Sequence, residues 1–227
     1  DVNAMGEIYL PRWLGLSKGN VKVEIHGFSD ASQVAFSGVV YVRIIDDEDK
    51  VSVKMVTAKT RVAPVKQMSI PRLELCGAVL TAKLMYRVKK CLNVDDSNVY
   101  GWTDSTIVLA WLQKHPNCWK TLVGNRVAEI LNLTFPKQWR HISTKENPAD
   151  CASRGLVPTQ LPEHELWWNG PHWLHKPGNI VSETEVHETN IDQRVQVHVM
   201  NVVNSEYLIQ DFSSLTRLKR VVAYCLR

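Results

Sequence analysis

With 227 residues, 44% of them hydrophobic, the chain has an ordinary globular composition and room for one good-sized domain plus extensions, or for two small domains. A net charge of +4 permits a polyanionic partner without requiring one. No apolar run approaches the roughly 20 residues that span a bilayer, no signal-peptide pattern opens the sequence, and five scattered cysteines without a C-x-x-C pair argue against structural zinc and for free thiols in a reducing compartment.

Residues 1–20 carry Pro and Gly and read as a connecting segment. In "VKVEIHGFSD", Val21, Val23 and Ile25 alternate as in a strand. "FSGVVYVRIID" and "VSVKMVTA" are two more strands, and the polar "DDEDK" between them makes a hairpin. The basic stretch "KTRVAPVKQ" reads as a loop leading into a helix at about 70–92. There Ile70, Leu73, Gly77, Leu80, Leu84 and Val88 recur at helical spacing, and Glu74 shares their face. Burying an unpaired carboxylate costs several kcal/mol, so Glu74 needs a reason.

"NVYGWTD" is a short strand and "STIVLAWLQ" a helix. "CWKTLVGNRVAEILNLT" is a second helical stretch with Leu122, Val123, Val127, Ile130 and Leu131 on one face. "KQWRHIS" is a strand, and "NPADCASRG" opens a helix that stops near Gly155, with Asn-Pro and Gly as its caps. The order β-β-β-α-β-α-α-β-α predicts an α/β fold: a five-stranded mixed sheet, antiparallel strands first and parallel strands after, covered by helices on both faces.

Beyond 155 the pattern weakens. Trp167, Trp168 and Trp173 are expected to cap one end of the core rather than stack on bases. Residues 176–193 read as polar loop, and 194–203 as one strand. "FSSLTRLKRVVAYCLR" reads as an amphipathic helix with Leu215, Leu218, Val222, Cys225 and Leu226 on its apolar side. That unfinished helix, and a start at Asp1, suggest a piece of a longer polypeptide.

On this map Asp30 ends the first strand, Glu74 lies in the first turns of the long helix, Asp104 ends the fourth strand, and Asp150 lies in the first turn of the helix after the fifth strand. Singly, three of them have ordinary explanations: Asp30 as a turn residue, Asp104 as a helix cap, Asp150 as a complement to a helix dipole. Together they are expected to converge beyond the strand ends, at the topological switch point. Four close carboxylates cannot all stay ionised without cations between them. Oxygen-only ligands select Mg²⁺ or Mn²⁺, and two such ions about 3.5–4 Å apart suit in-line phosphodiester hydrolysis.

The strings "HGFSDAS", "AKTRVAP", "IPRLEL", "WTDSTIVLAWL", "NRVAEI", "WRHISTKENPADCASRG" and "LWWNGPHWL" follow one another over roughly 11–175. Their D-E-D-D order resembles ribonuclease H, and the strings resemble the ribonuclease H domain of Bel/Pao-type LTR retrotransposon polyproteins. The resemblance implies a ribonuclease H-like fold and Mg²⁺-dependent endonucleolytic cleavage of the RNA strand of RNA–DNA hybrids during reverse transcription. Two ions, with Mn²⁺ a substitute, would be held by Asp30, Glu74, Asp104 and Asp150. It also implies a domain plan: 1–20 a connection from an upstream reverse transcriptase, 21–155 catalytic, 156–205 a Trp-rich extension and linker, and 206–227 the lead-in to an integrase. Those flanking regions would be partners in cis, in an intracellular particle, cytoplasmic or else nuclear.

Substrate contacts are expected from Lys59, Arg61, Lys66 and Arg72, in the loop and helix start leading to Glu74, and from Ser32, Ser105 and Thr106 beside the aspartates. Arg154 pairs locally or joins them. The sequence departs from many ribonucleases H in one respect. The loop "STKEN" has no His, and His141 falls on the preceding strand, so Lys145 or Glu146 would have to assist product release. Two alternatives stand beside the enzyme: a silent scaffold or nucleic-acid-binding module, which four intact acids disfavour, and a transposase or integrase core, which the position of Glu74 between the first two aspartates disfavours.

Overall fold

The computed structural model describes residues 8, 13–16, 21–178, 188–194 and 214–225. Strands β1 (Lys22–Ala31), β2 (Ala35–Ile45) and β3 (Val51–Val62) form an antiparallel meander. β4 (Val99–Thr103) lies parallel to β1, and β5 (Trp139–His141) parallel to β4, giving the order β3-β2-β1-β4-β5. The expected mixed five-stranded sheet is therefore the observed one. β3 runs four residues further than expected, so Lys59 and Arg61 stand on an edge strand and not in a loop. Its pairing with β2 continues to Ala35↔Val62, and ladder hydrogen bonds outweigh the basic composition there.

Helix α1 (Ile70–Leu92) crosses from β3 to β4, and α2 (Thr106–Gln113) with α3 (Thr121–Leu131) from β4 to β5. Ile25, Val40, Val42 and Ile44 of the sheet pack with Leu75, Ala78, Ala82 and Met85 of α1 and Val123, Val127 and Ile130 of α3. Leu122, expected on that face, is exposed: it falls outside the 123/127/130 stripe. The strip of α1 nearest the sheet runs through Gly77, Thr81 and Met85. Thr81 Oγ1 donates to the Phe28 carbonyl at 3.2 Å, and a Cβ on Gly77 would sit 2.9 Å from the Asp30 carbonyl oxygen. Glu74, one turn before Gly77, stands where this strip reaches the end of β1.

The opposite face carries α4 (Ala149–Arg154), α5 (Glu165–Asn169) and the turn 172–175. Phe28, Val39, Tyr41 and Trp102 meet Leu174, Trp167 and Trp173 there, so Trp167 and Trp173 do cap the core, while Trp168 donates its indole N–H to the Leu161 carbonyl at 2.7 Å. A buried arginine explains why this segment stays down. Arg43, fully buried, donates to the carbonyls of Leu174 (2.8 Å), Lys176 (2.6 Å) and Gly178 (3.0 Å) and pairs with Glu24 at 2.7 Å. Glu24 also meets His26, whose other ring nitrogen accepts from the Trp102 indole at 3.2 Å. Nδ1 is thus an acceptor and Nε2 carries the proton, a neutral imidazole, in keeping with burial that lowers the His26 pKa.

The chain divides into two compact units, Asp1–Arg194 and Val195–Arg227. In the second, α6 (Leu215–Cys225) is described, with Leu215 and Val222 exposed. The strand expected at 194–203 lies, beyond Arg194, outside the described residues. No described helix is long and apolar enough to cross a membrane.

Candidate active site

Each acid reaches the same end of the sheet from a different element. Asp30 is the penultimate residue of β1, and Asp104 follows β4 directly, with β1 and β4 adjacent and parallel. Glu74 is in the second turn of α1, and Asp150 in the first turn of α4. Helix α4 is fastened to the sheet by polar contacts. Buried Asn147 donates to the Ser29 carbonyl at 3.0 Å and accepts from the Ala149 amide at 3.2 Å, while Ser37 Oγ donates to the Ala149 carbonyl at 2.7 Å. These put Asp150 beside Asp30.

Two of the acids feel a neighbour's charge, Asp30 those of Asp104 and Asp150, and Glu74 that of Asp104. Burial pushes the Asp30 carboxyl up to about 7, the hydrogen bond from Ser153 opposes that, and the charges of Asp104 and Asp150 add to it. Burial likewise raises Glu74, against a hydrogen bond from Ser105 and with the charge of Asp104. Ser153 and Ser105 thus favour the ionised forms that burial disfavours. Thr144 Oγ1 donates to Asp104 Oδ2 at 2.8 Å. Asp104 Oδ1 and Asp150 Oδ1 are buried without a hydrogen-bond donor. For Asp150 this holds although Arg154 Nε lies 2.7 Å away, an ion pair that lacks hydrogen-bond geometry.

Buried carboxylate oxygens without donors are costly unless something positive meets them. The donor set, oxygen only and anionic, suits a hard divalent cation. Among the described residues, no three His, Cys, Asp or Glu side chains stand close enough together to be a ready ligand group. The acids share a neighbourhood, not one point.

The other expected residues divide. Ser105 caps α2, accepting from the Val108 amide at 3.3 Å, and Thr106 follows it, exposed. Asp104 is therefore not the cap. Ser32 is committed to the β1–β2 turn: its Oγ accepts from the Val34 and Ala35 amides and donates to the Ser153 carbonyl at 2.6 Å. Lys59 lines a groove of about 400 Å³ with Thr60, Cys151, Leu156 and Trp167, and Arg61 lines one of about 150 Å³ with Phe36, Lys83 and Arg126. Lys66 is exposed on the loop before α1. Arg72 is held by Asp192, and Arg154 by Asp150. His141 ends β5, exposed, and Lys145 and Glu146 lie exposed in the turn 144–146. Sequence reasoning missed Thr144, Asn147 and Ser153. Only the short polar run around Asp150 hinted at them.

Residues 2–105 match the family model described as Pao retrotransposon-like RNaseH-like domain. The match includes Asp30, Glu74 and Asp104 and stops before Asp150. No curated protein matches the chain. Solved structures that the chain matches include RNase H1 from the halophilic archaeon Halobacterium salinarum NRC-1 (13% identity, 57% of this chain and 92% of that one, TM-score 0.36). Others are LC11-RNase H1 in complex with an RNA/DNA hybrid (12%, 56% and 88%, 0.36) and the N-terminal RNase H domain of a Mycobacterium tuberculosis protein fused to maltose binding protein (10%, 60% and 97%, 0.32). Over residues 2–105, just under half of its length, the chain is thus similar to Pao retrotransposon-like RNaseH-like domains.

Proposed function

We propose that the chain is a ribonuclease H that cleaves the RNA strand of RNA–DNA hybrids, with Asp30, Glu74, Asp104 and Asp150 as ligands for two Mg²⁺ ions. The observation that carries this reading is the set of mutually repelling carboxylates at one sheet end, one of which, Asp104, has a buried oxygen that neither a donor nor a cation meets. The family match supports it. Bound divalent cations supply Lewis acidity and a water of lowered pKa. The chain's own part is positional. Thr144 fixes the rotamer of Asp104, Ser153 that of Asp30, and Ser105 that of Glu74. Arg154 neutralises part of the charge of Asp150. Lys59, Arg61 and Lys66, exposed beside this end of the sheet, supply positive charge for a phosphate backbone. Exposed 2′-hydroxyls would mark the strand to be cut. In this reading the domain works in cis with reverse transcriptase and integrase regions, in a cytoplasmic particle.

A second reading, a hybrid-binding module that does not cut, is favoured by one observation: among the described residues, no three carboxylates form a ready ligand group. A crystal structure with Mn²⁺ decides between them. Two ions among the four acids support the enzyme; carboxylates that remain apart, with ions elsewhere or absent, support the module.

A further inference from the structure

Segment 188–194 crosses α1, α2 and α3 near their ends, and its Asp192 lies between two cations. Arg72 grips it with both arms of the guanidinium, Nε to Oδ2 and Nη2 to Oδ1, each at 2.8 Å. Lys120 Nζ stands 3.4 Å from Oδ1. The segment has anchors that do not involve this charge. The Lys120 amide donates to the Asp192 carbonyl at 2.7 Å, the Trp111 indole to the Ile191 carbonyl at 2.9 Å, and the Arg194 amide to the Cys118 carbonyl at 2.8 Å.

The Asp192 side chain is 8% exposed, whereas Arg72 is 34% and Lys120 61% exposed. Both cations therefore keep a face open to solvent while their intrachain partner is covered. A guanidinium fork that fits a carboxylate in two parallel bonds fits a phosphate in the same way. Arg72 precedes Glu74 by two residues, about 3 Å along the helix axis. Residues two apart leave a helix on different sides, so a ligand on Arg72 shares the N-terminal end of α1 with Glu74 but not its face.

We infer that Arg72 and Lys120 form an anion site whose resident ligand is Asp192 of the same chain and whose exchange ligand is a backbone phosphate of the nucleic acid. The inference rests on the nucleic-acid reading above and goes beyond it: Asp192 competes with substrate, so the clasp lowers affinity for the hybrid and Lys120 joins the substrate-binding residues. Removing the charge while keeping the segment in place should expose the site. Asn suits this, because Asp192 sits at φ 59°, a conformation that Asn also tolerates.

The test uses the whole chain with Asp104→Asn to silence cleavage, a labelled RNA–DNA hybrid, and Asp192→Asn, Arg72→Ala and their combination. Asp192→Asn should tighten binding about fivefold by freeing a site that is otherwise mostly occupied. Arg72→Ala alone should change affinity less than the same substitution made with Asp192→Asn, where it should cancel the gain. As a second probe, inorganic phosphate should raise the Tm of Asp192→Asn, and not that of the combination. Unchanged or weaker hybrid binding by Asp192→Asn, with no stabilisation by phosphate, would overturn the inference and leave Asp192 a fold clasp. Stabilisation by phosphate through Arg72, with no hybrid binding by any variant, would keep the anion site and overturn the nucleic-acid reading instead.

Discussion

Thr144 Oγ1 donates a 2.8 Å hydrogen bond to Asp104 Oδ2, tying the loop before α4 to the end of β4. The bond leaves Asp104 Oδ1 as the carboxylate's unmet oxygen. Thr144→Val keeps the shape and removes the donor. Because Thr144 is exposed, the fold should lose less than about 1 kcal/mol, while metal-dependent cleavage should fall roughly tenfold from looser positioning. Thermal unfolding and single-turnover cleavage, measured side by side, check the split.

Asp30 gives a pH signature in the metal-free chain. Its carboxyl is raised to about 7 when folded, above its ordinary value of 3.8. The folded state therefore binds the proton more tightly, and this stability is fully present below about pH 4 and lost as pH rises through 7. Asp30→Asn should remove that loss, stabilising the chelated protein at pH 8 by a few kcal/mol as an order of magnitude. Urea midpoints at pH 5 and pH 8, with a chelator present, measure it; equal pH dependence in both proteins would contradict the raised carboxyl.

Gly77 lets α1 approach β1. A Cβ there would stand 2.9 Å from the Asp30 carbonyl oxygen, a backbone atom that cannot swing away. Gly77→Ala should gain helix propensity of about 1 kcal/mol yet lose more through overpacking, about 1–3 kcal/mol. Because Glu74 lies one turn away, cleavage should fall with it. A variant as stable and as active as the parent would show that the helix can shift freely.

Arg43 holds three carbonyls of the segment 174–178 and the buried Glu24. Arg43→Met should cost about 3–5 kcal/mol, because it leaves three carbonyls without their donor and Glu24 with only Lys22 and His26. Pairing it with Glu24→Gln should recover part of the loss. Chemical denaturation of the single and double variants provides the cycle.

The sheet was legible because its signals are local. "DDEDK" marks the β2–β3 hairpin, alternation marks β1, and the spacing of apolar residues marks α1. Glu74 was legible for the same reason: an acid on an apolar stripe contradicts its surroundings. The end of β3 was not, since Lys59 and Arg61 extend an edge strand through pairing that composition does not reveal. The supports of the acids were not legible either. Ser153 meets Asp30 across 123 residues and Thr144 meets Asp104 across 40, and no periodicity encodes such contacts. Nor does the sequence show that Arg72 is gripped by Asp192, 120 residues away.

Asp30, Glu74, Asp104 and Asp150 together should support metal-dependent cutting of RNA in a hybrid. The direct measurement is cleavage of an RNA–DNA hybrid labelled on the RNA strand, by the purified, folded chain, with Mg²⁺ and with chelator. Parent, Asp104→Asn and Glu74→Gln are compared. RNA-strand cuts should require Mg²⁺ and fall at least about 100-fold in both variants, with the variants folded. Hybrid left intact by the folded parent, or cleavage that survives chelation or either substitution, would contradict it.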